Sequence, residues 1–401
     1  MNTIEVKNLS KTFNGNLKAV DNISFEVKQG EILGFLGPNG AGKTTTLNML
    51  STLLKPTSGT ATVNGHDILK EPDQVRRSIG YVFQDTTLDI ELTGRENLDF
   101  HGRLYGLDKN TRQQRIKELL ELVKLTDRAD SYVKTYSGGM KRRLEIARGL
   151  LHHPAVLFLD EPTLGLDTQT RRSIWDHIMH LNKEKNVTVM LTTHYTEEAD
   201  FLCKRILIID FGKIVELDTP DTLKAKLEGD VVTLVFKDSS AIEKFRPLLE
   251  KEEWIRQINA VSSENNHAEM SKMIQKMKMV GSFGDGGGSM PQMNHGQMEH
   301  SDKKQAKNME GYVSNLEFGG AKCANCLNLL VDNGGHRIPE IVKLADEAKV
   351  VLDSVELHKP TLDDVFLSVT GRNIREEEGN VVDMMRRHRI IRQARGQAVR
   401  G

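Results

Sequence analysis

Gly37, Pro38, Asn39, Gly40, Ala41, Gly42, Lys43 and Thr44 fit the pattern G-x-x-x-x-G-K-[ST]. An apolar run, Glu31 to Leu36, precedes them and the helix-prone segment Thr45 to Leu54 follows, which is the strand, loop and helix setting the pattern requires. The glycines at 37, 40 and 42 let the backbone turn where a Cβ would clash, so that successive N–H groups and a helix N-terminus aim at one anion. The anion that suits such a cradle is the phosphate chain of a nucleotide, held by contacts from Gly37 through Thr45. Lys43 would reach the β- and γ-phosphates, and the Thr44 hydroxyl would coordinate Mg²⁺.

Further groups stand where a hydrolytic site needs them. The apolar run from Ala155 to Leu159 closes on Asp160 and Glu161; the first suits outer coordination of Mg²⁺, the second a base that orients an attacking water. A similar run, Val187 to Thr192, leads to Thr193 and His194, whose imidazole could hydrogen-bond a γ-phosphate oxygen. Gln84 ends the run Ile79 to Phe83. Ser137, Gly138 and Gly139 begin a helix, with Ser137 as N-cap and bare N–H groups behind it, a second anion site. Phe13 reads two ways, as an aromatic that stacks on a base or as a core residue.

These groups need a scaffold of strands and helices. Residues 4 to 36 alternate apolar and polar positions with turn chemistry at Asn14-Gly15 and Gln29-Gly30, which predicts short strands feeding the phosphate loop. Thr60 to Val63 and Ile79 to Phe83 are further strands, and Ala155 to Glu161 and Val187 to Thr192 read as buried strands of a parallel sheet. From about 93 to 152 the pattern is helical, with Leu119, Leu122, Val123 and Leu125 at helix-like spacing. A net charge of −1 over 401 residues gives no general argument for nucleic acid or an anionic membrane. Nothing approaches the roughly 20 apolar residues of a spanning helix, and the N-terminus lacks an apolar signal region, so a soluble, cytoplasmic chain is expected. Three cysteines, at 203, 323 and 326, suggest a reduced compartment and no disulfide framework.

Taken in order, Gly37 to Thr44, Gln84, Ser137 to Gly139, Leu159 to Glu161 with Gly165 to Asp167, and His194 together resemble the ATP-binding subunit of ABC transporters over roughly residues 2 to 228. The resemblance implies an α/β fold of the P-loop NTPase type, a mixed sheet core with a helical subdomain, in a domain spanning 1–228. It makes Phe13 the adenine-stacking aromatic and Gln84 the loop glutamine that senses Mg²⁺ and the transmembrane partner. Ser137 and Gly139 become the signature motif, Glu161 the catalytic base, Asp167 a dimer-contact residue and His194 the switch histidine. Tyr136 and Met140 stand where leucine and glutamine are usual in the signature. The resemblance further implies a head-to-tail dimer, with itself or a similar subunit, closing on two ATP molecules, and separate permease subunits that hold it on the cytoplasmic face of the membrane. Thr192 to Asp200, the signature, and Lys359 to Gly371 are similar to the daunorubicin-resistance type, whose members export drugs, lipids or polysaccharides. The rival expectation is a soluble ABC ATPase acting on ribosomes or DNA; such proteins usually carry two ATPase domains or a long coiled-coil insertion, and neither is visible.

Beyond Gly229 the character changes. Strands at Val231 to Phe236 and Val350 to Glu356, with helices near 239–252, 337–347 and 361–369, predict a small α+β C-terminal domain over 229–371, followed by a charged tail from 372 to 401. It is interrupted from about 262 to 326 by a stretch rich in Met, His and Gly. Met290, Met293, His295, Met298 and His300, with Cys323 and Cys326, offer soft ligands suited to Cu(I) or Ag(I). The alternatives are an apolar stripe through Met270, Met273 and Met277 and a disordered polar insertion.

Overall fold

The computed structural model describes residues 2–14, 17–261, 325–371 and 374. By contact they divide into two units, Met1–Gly229 with the segment beginning at Lys359, and Asp230–His358.

The first unit opens with the antiparallel pair β1 (Asn2–Phe13) and β2 (Leu17–Lys28), continues through β3 (Ile32–Leu36), α1 (Lys43–Leu50), β4 (Ser58–Val63), β5 (His66–Asp67) and α2 (Pro72–Ser78), and reaches β6 (Ile79–Val82). Three helices follow, α3 (Gly94–Leu104), α4 (Lys109–Leu122) and α5 (Gly138–Gly149). The chain then alternates β7 (Val156–Asp160), α6 (Thr168–Lys185), β8 (Thr188–Thr193), α7 (Thr196–Leu202) and β9 (Arg205–Asp210), and finishes with β10 (Lys213–Asp218) and α8 (Pro220–Ala225). One sheet has the order β2-β1-β4-β5 and is antiparallel; the other has the order β10-β9-β3-β8-β7-β6, parallel except for the β9–β10 pair. β3, β7 and β8 are buried at every position, as strands covered on both faces must be, which is why they read as unbroken apolar runs. Their facing side chains, with those of β1, β2 and α1, make the core around Phe35, Leu47, Phe158 and Met190.

Helix starts are set by local chemistry. Thr93 and Glu96 form a capping box on α3, Ser137 caps α5 through the Met140 N–H, and Asp167 caps α6 through the Thr170 N–H. α1 begins without a side-chain cap, at Gly42 with φ +108°, where a Cβ would lie 2.5 Å from the Ala19 carbonyl oxygen. Only glycine fits there.

The second unit comprises β11 (Asp230–Phe236), α9 (Ser239–Leu249), β12 (Ile255–Val261), β13 (Cys326–Val331), α10 (Gly334–Glu347) and β14 (Leu352–His358). Its strands form an antiparallel sheet, β12-β13-β11-β14, with a core around Leu234, Phe245, Leu329 and Ile341. The chain then returns to the first unit as α11 (Leu362–Thr370), which packs on α7 and α8, and Asp363 accepts a 2.8 Å bond from the Thr196 hydroxyl. This corrects the expectation that the helix near 361–369 belongs with the accessory domain; its amphipathic spacing shows a buried face but not which unit buries it. Cys326 opens β13 and is 2% exposed. Met290, Met293, His295, Met298, His300 and Cys323, like the tail from 375 to 401, lie outside the described residues.

One close approach holds the strand that leads to Gln84 against the helix that starts at the signature. A Cβ on Gly80 in β6 would lie 2.1 Å from the Gly149 carbonyl oxygen at the end of α5. Gly80→Ala is therefore expected to lower unfolding free energy by about 2 kcal/mol; urea titration measures it, and an unchanged midpoint contradicts the packing described.

Candidate functional site

Three strand ends of the mixed sheet carry the charged groups. Lys43 begins α1 beyond β3, Glu161 follows β7, and His194 follows β8, which lies between the other two strands. The three residues are 5%, 5% and 3% exposed, so they meet one another rather than water. Lys43 Nζ lies 3.2 Å from Glu161 Oε1, and His194 Nδ1 lies 2.6 Å from Glu161 Oε2. Lys43 Nζ also donates to the carbonyl oxygens of Gly37 at 2.6 Å and Pro38 at 3.1 Å. Burial by itself would raise the Glu161 pKa, but the His194 bond and the Lys43 charge outweigh it and hold the carboxyl below its ordinary range. Glu161 is thus a carboxylate at neutral pH, better suited to orienting a water than to holding a proton.

Asp160 differs. Burial raises its pKa, and the bonds it accepts from the hydroxyls of Thr192 at 2.6 Å and Thr44 at 3.0 Å offset that only in part. Thr44 is exposed at the first turn of α1, so its hydroxyl and the Asp160 carboxylate form a hard oxygen pair open on one side. That donor set fits Mg²⁺, which prefers one or two protein oxygens completed by water and phosphate.

Backbone geometry at Glu161 is unusual. Its φ is +49°, a left-handed conformation costing a non-glycine residue about 1 to 3 kcal/mol. The surroundings impose it. Its N–H donates to both the carbonyl at 3.2 Å and the hydroxyl at 3.0 Å of Thr192, and its own carbonyl accepts from Arg142 Nη2 at 3.1 Å.

The other expected residues fall around this cluster. Gln84 is exposed, two residues beyond β6, and among the described residues it makes no hydrogen bond to Asp160 or Thr44. Ser137 and Gly138 are exposed at the start of α5, while Gly139 is buried against Thr170, whose Cγ2 would be 2.4 Å from a Cβ there. Tyr136, the departure from leucine, is buried and donates its hydroxyl to the Arg128 carbonyl at 2.6 Å, so the change adds a tether. Asp167 bonds Thr170 through both oxygens as a helix cap. Phe13 is half-buried beside the β1–β2 turn, with Lys11 Nζ 5.2 Å from its ring centroid, and is no part of the core. Motif reading missed Thr192, which serves both Asp160 and Glu161, and Glu198, a fully buried carboxyl that accepts from Thr163 and Trp175 and whose pKa is raised by burial. No sequence signal singles out Glu198, which stands between Glu197 and Asp200 in α7.

The ABC transporter family model matches residues 20–164. The daunorubicin/doxorubicin resistance ATP-binding protein DrrA of Streptomyces peucetius is 45% identical over 62% of this chain and 75% of its own length. The daunorubicin resistance ATP-binding protein DrrA2 of Streptomyces coeruleorubidus is 35% identical over 91% of this chain and 94% of its own. Among solved structures, an ATP-binding cassette captured as a dimer in a post-hydrolysis state with ADP and Pi matches with a TM-score of 0.50 and 31% identity, over 54% of this chain and 98% of that one.

The lowered Glu161 pKa fixes the sign of a pH effect. Its carboxylate contributes stability above the ordinary glutamate value of 4.5 and loses that contribution as pH falls through the lower folded value. Urea unfolding as a function of pH should fall more steeply on the acid side for the parent than for Glu161→Gln; parallel curves would show that the carboxylate is not stabilised by its neighbours.

Proposed function

The chain belongs to the ATP-binding subunits of ABC transporters, of the drug-resistance type, and from that membership we propose how its residues divide the work. It hydrolyses ATP with Mg²⁺ as the energy-coupling subunit of an exporter. The observation that carries the residue assignment is the buried convergence of Lys43, Glu161 and His194 at adjacent strand ends.

The phosphate chain lies along the loop from Gly37 to Thr45, against the first turn of α1, with the adenine beside Phe13. Thr44 and Asp160 would hold Mg²⁺, with Gln84 brought in from its exposed loop, and the ion would supply charge neutralisation to the phosphate chain. Lys43 exchanges the carbonyls of Gly37 and Pro38 for phosphate oxygens, and His194 turns from Glu161 to the γ-phosphate. Both exchanges leave the Glu161 carboxylate facing the reacting phosphorus, where it accepts a hydrogen bond from the attacking water. That water adds to the γ-phosphorus, the bond to the β–γ bridging oxygen breaks, and ADP and phosphate leave.

We assign the N–H groups at the start of α5, where Ser137 and Gly138 are exposed and Gly139 is buried, to the ATP of a second copy or a similar subunit; the cassette this chain resembles was captured as a dimer. Asp167, at the base of the intervening turn, belongs to the same contact. Phe100 and Leu104, four residues apart on α3 and 53% and 66% exposed, are an apolar face suited to a separate permease. No described helix is long and apolar enough to cross a membrane, so the permease is what places the subunit on the cytoplasmic face. The cargo is then a drug or lipid-like compound or a polysaccharide chosen by that permease.

Glu161→Gln should bind Mg·ATP, shift from monomer to dimer on size exclusion, and hydrolyse at least about a hundredfold more slowly than the parent. Turnover at the parental rate would remove Glu161 from the role assigned.

A further inference from the structure

Arg142, Glu145 and Arg148 follow one another at three-residue spacing along α5, and all are buried. The Arg142 guanidinium donates through Nε to the Pro162 carbonyl at 2.7 Å and through Nη2 to the carbonyls of Asp160 at 2.9 Å and Glu161 at 3.1 Å. Its Nη1 reaches the Phe83 carbonyl at 2.5 Å and Glu145 Oε2 at 3.1 Å. Glu145 Oε1 accepts from the Thr87 N–H at 2.9 Å, and Arg148 donates to the Thr87 carbonyl at 3.0 Å and hydroxyl at 2.6 Å. One helix face therefore grips the loop from 83 to 87, which carries Gln84, at both ends, and also three consecutive carbonyls around Glu161. The same helix starts at Ser137.

We propose that this Arg142, Glu145, Arg148 stripe is a coupling element within each chain, holding the Gln84 loop and the Glu161 turn in register with α5, so that what docks on Ser137 to Gly139 sets the geometry of the chain's own hydrolytic site. The inference rests on the reading above that the signature meets a second copy's ATP. Its physical basis is the shape of the guanidinium. A planar fork spans acceptors on two strand ends at once, whereas an ammonium is a point charge and cannot. Because α5 is a continuous helix of 12 residues, its displacement moves every one of these bonds together. At Glu161 this matters most, since the held carbonyl belongs to a residue with positive φ. Arg142 is a positioning residue, acting on the water only through Glu161.

The test uses the full chain with Arg142→Lys and Glu145→Gln, each alone and combined with Glu161→Gln. ATP binding is measured by titration, dimer formation by size exclusion with Mg·ATP in the Glu161→Gln background, and steady-state hydrolysis over a range of ATP. Coupling predicts that Arg142→Lys binds ATP within about twofold of the parent and still forms the trapped dimer, while kcat falls roughly tenfold or more and the Hill coefficient drops from about two towards one. Glu145→Gln should move the same way by less. Cooperative hydrolysis by Arg142→Lys at the parental kcat overturns the proposal, as does parallel loss of ATP binding, dimer and turnover, the signature of a purely structural arginine. Parental turnover by Glu161→Gln alone would instead overturn the site reading, and this proposal with it.

Discussion

The arrangement of the first unit follows from the need to bury three ionisable groups together. An unpaired buried charge costs several kcal/mol, and at 3% to 5% exposure the Glu161 carboxylate takes Lys43 on one oxygen and His194 on the other, while Lys43 also meets the carbonyls of Gly37 and Pro38. That requirement is topological. Lys43 follows β3, Glu161 follows β7 and His194 follows β8, and the groups meet because β8 lies between β3 and β7 in a parallel run whose carboxyl ends point the same way. A different strand order would separate these groups.

The same economy shows in the polar groups around the cluster. Thr192 is shared: its hydroxyl donates to Asp160 and accepts from the Glu161 N–H, fixing the two carboxylates relative to each other across the β7–β8 pair. Their pKa values move in opposite directions although they are adjacent in sequence, Asp160 up by burial with only hydroxyl partners, Glu161 down because a cation and an imidazole overcome the same burial. Environment, and not residue type, separates a group suited to a metal's outer sphere from one suited to a water.

What could be read from the sequence was whatever is local along the chain. Buried parallel strands announce themselves as apolar runs, so β3, β7 and β8 and the residues at their tips were legible, as were the Ser137 cap and the phosphate loop. Arg142 was not. It stands in a basic run that looks like any solvated helix face, and its partners lie 18 to 20 residues ahead and 59 behind. Thr192 reads as one more β-branched strand residue, and its contact with Glu161 spans 31 positions. The present partners of Lys43 and His194 were likewise invisible, because a motif states which groups gather and not which bonds they make with one another.

The second unit shows how a long interruption can leave a fold intact. β12 ends at Val261 and β13 begins at Cys326, and these two residues are Cα partners in an antiparallel ladder that continues to Ile255 and Val331. The strands on either side of residues 262–325 are therefore neighbours in one sheet. The closure term for a connection grows only logarithmically with its length, about 0.6 kcal/mol per doubling. Leu327, Leu329 and Val331 of β13 are each fully buried in the core that β12 and β11 help to form. At about 1.5 to 3 kcal/mol for each such side chain, their burial exceeds the closure term. The ladder can hold its register across the insertion for that reason, and the sequence looked interrupted where the sheet is continuous.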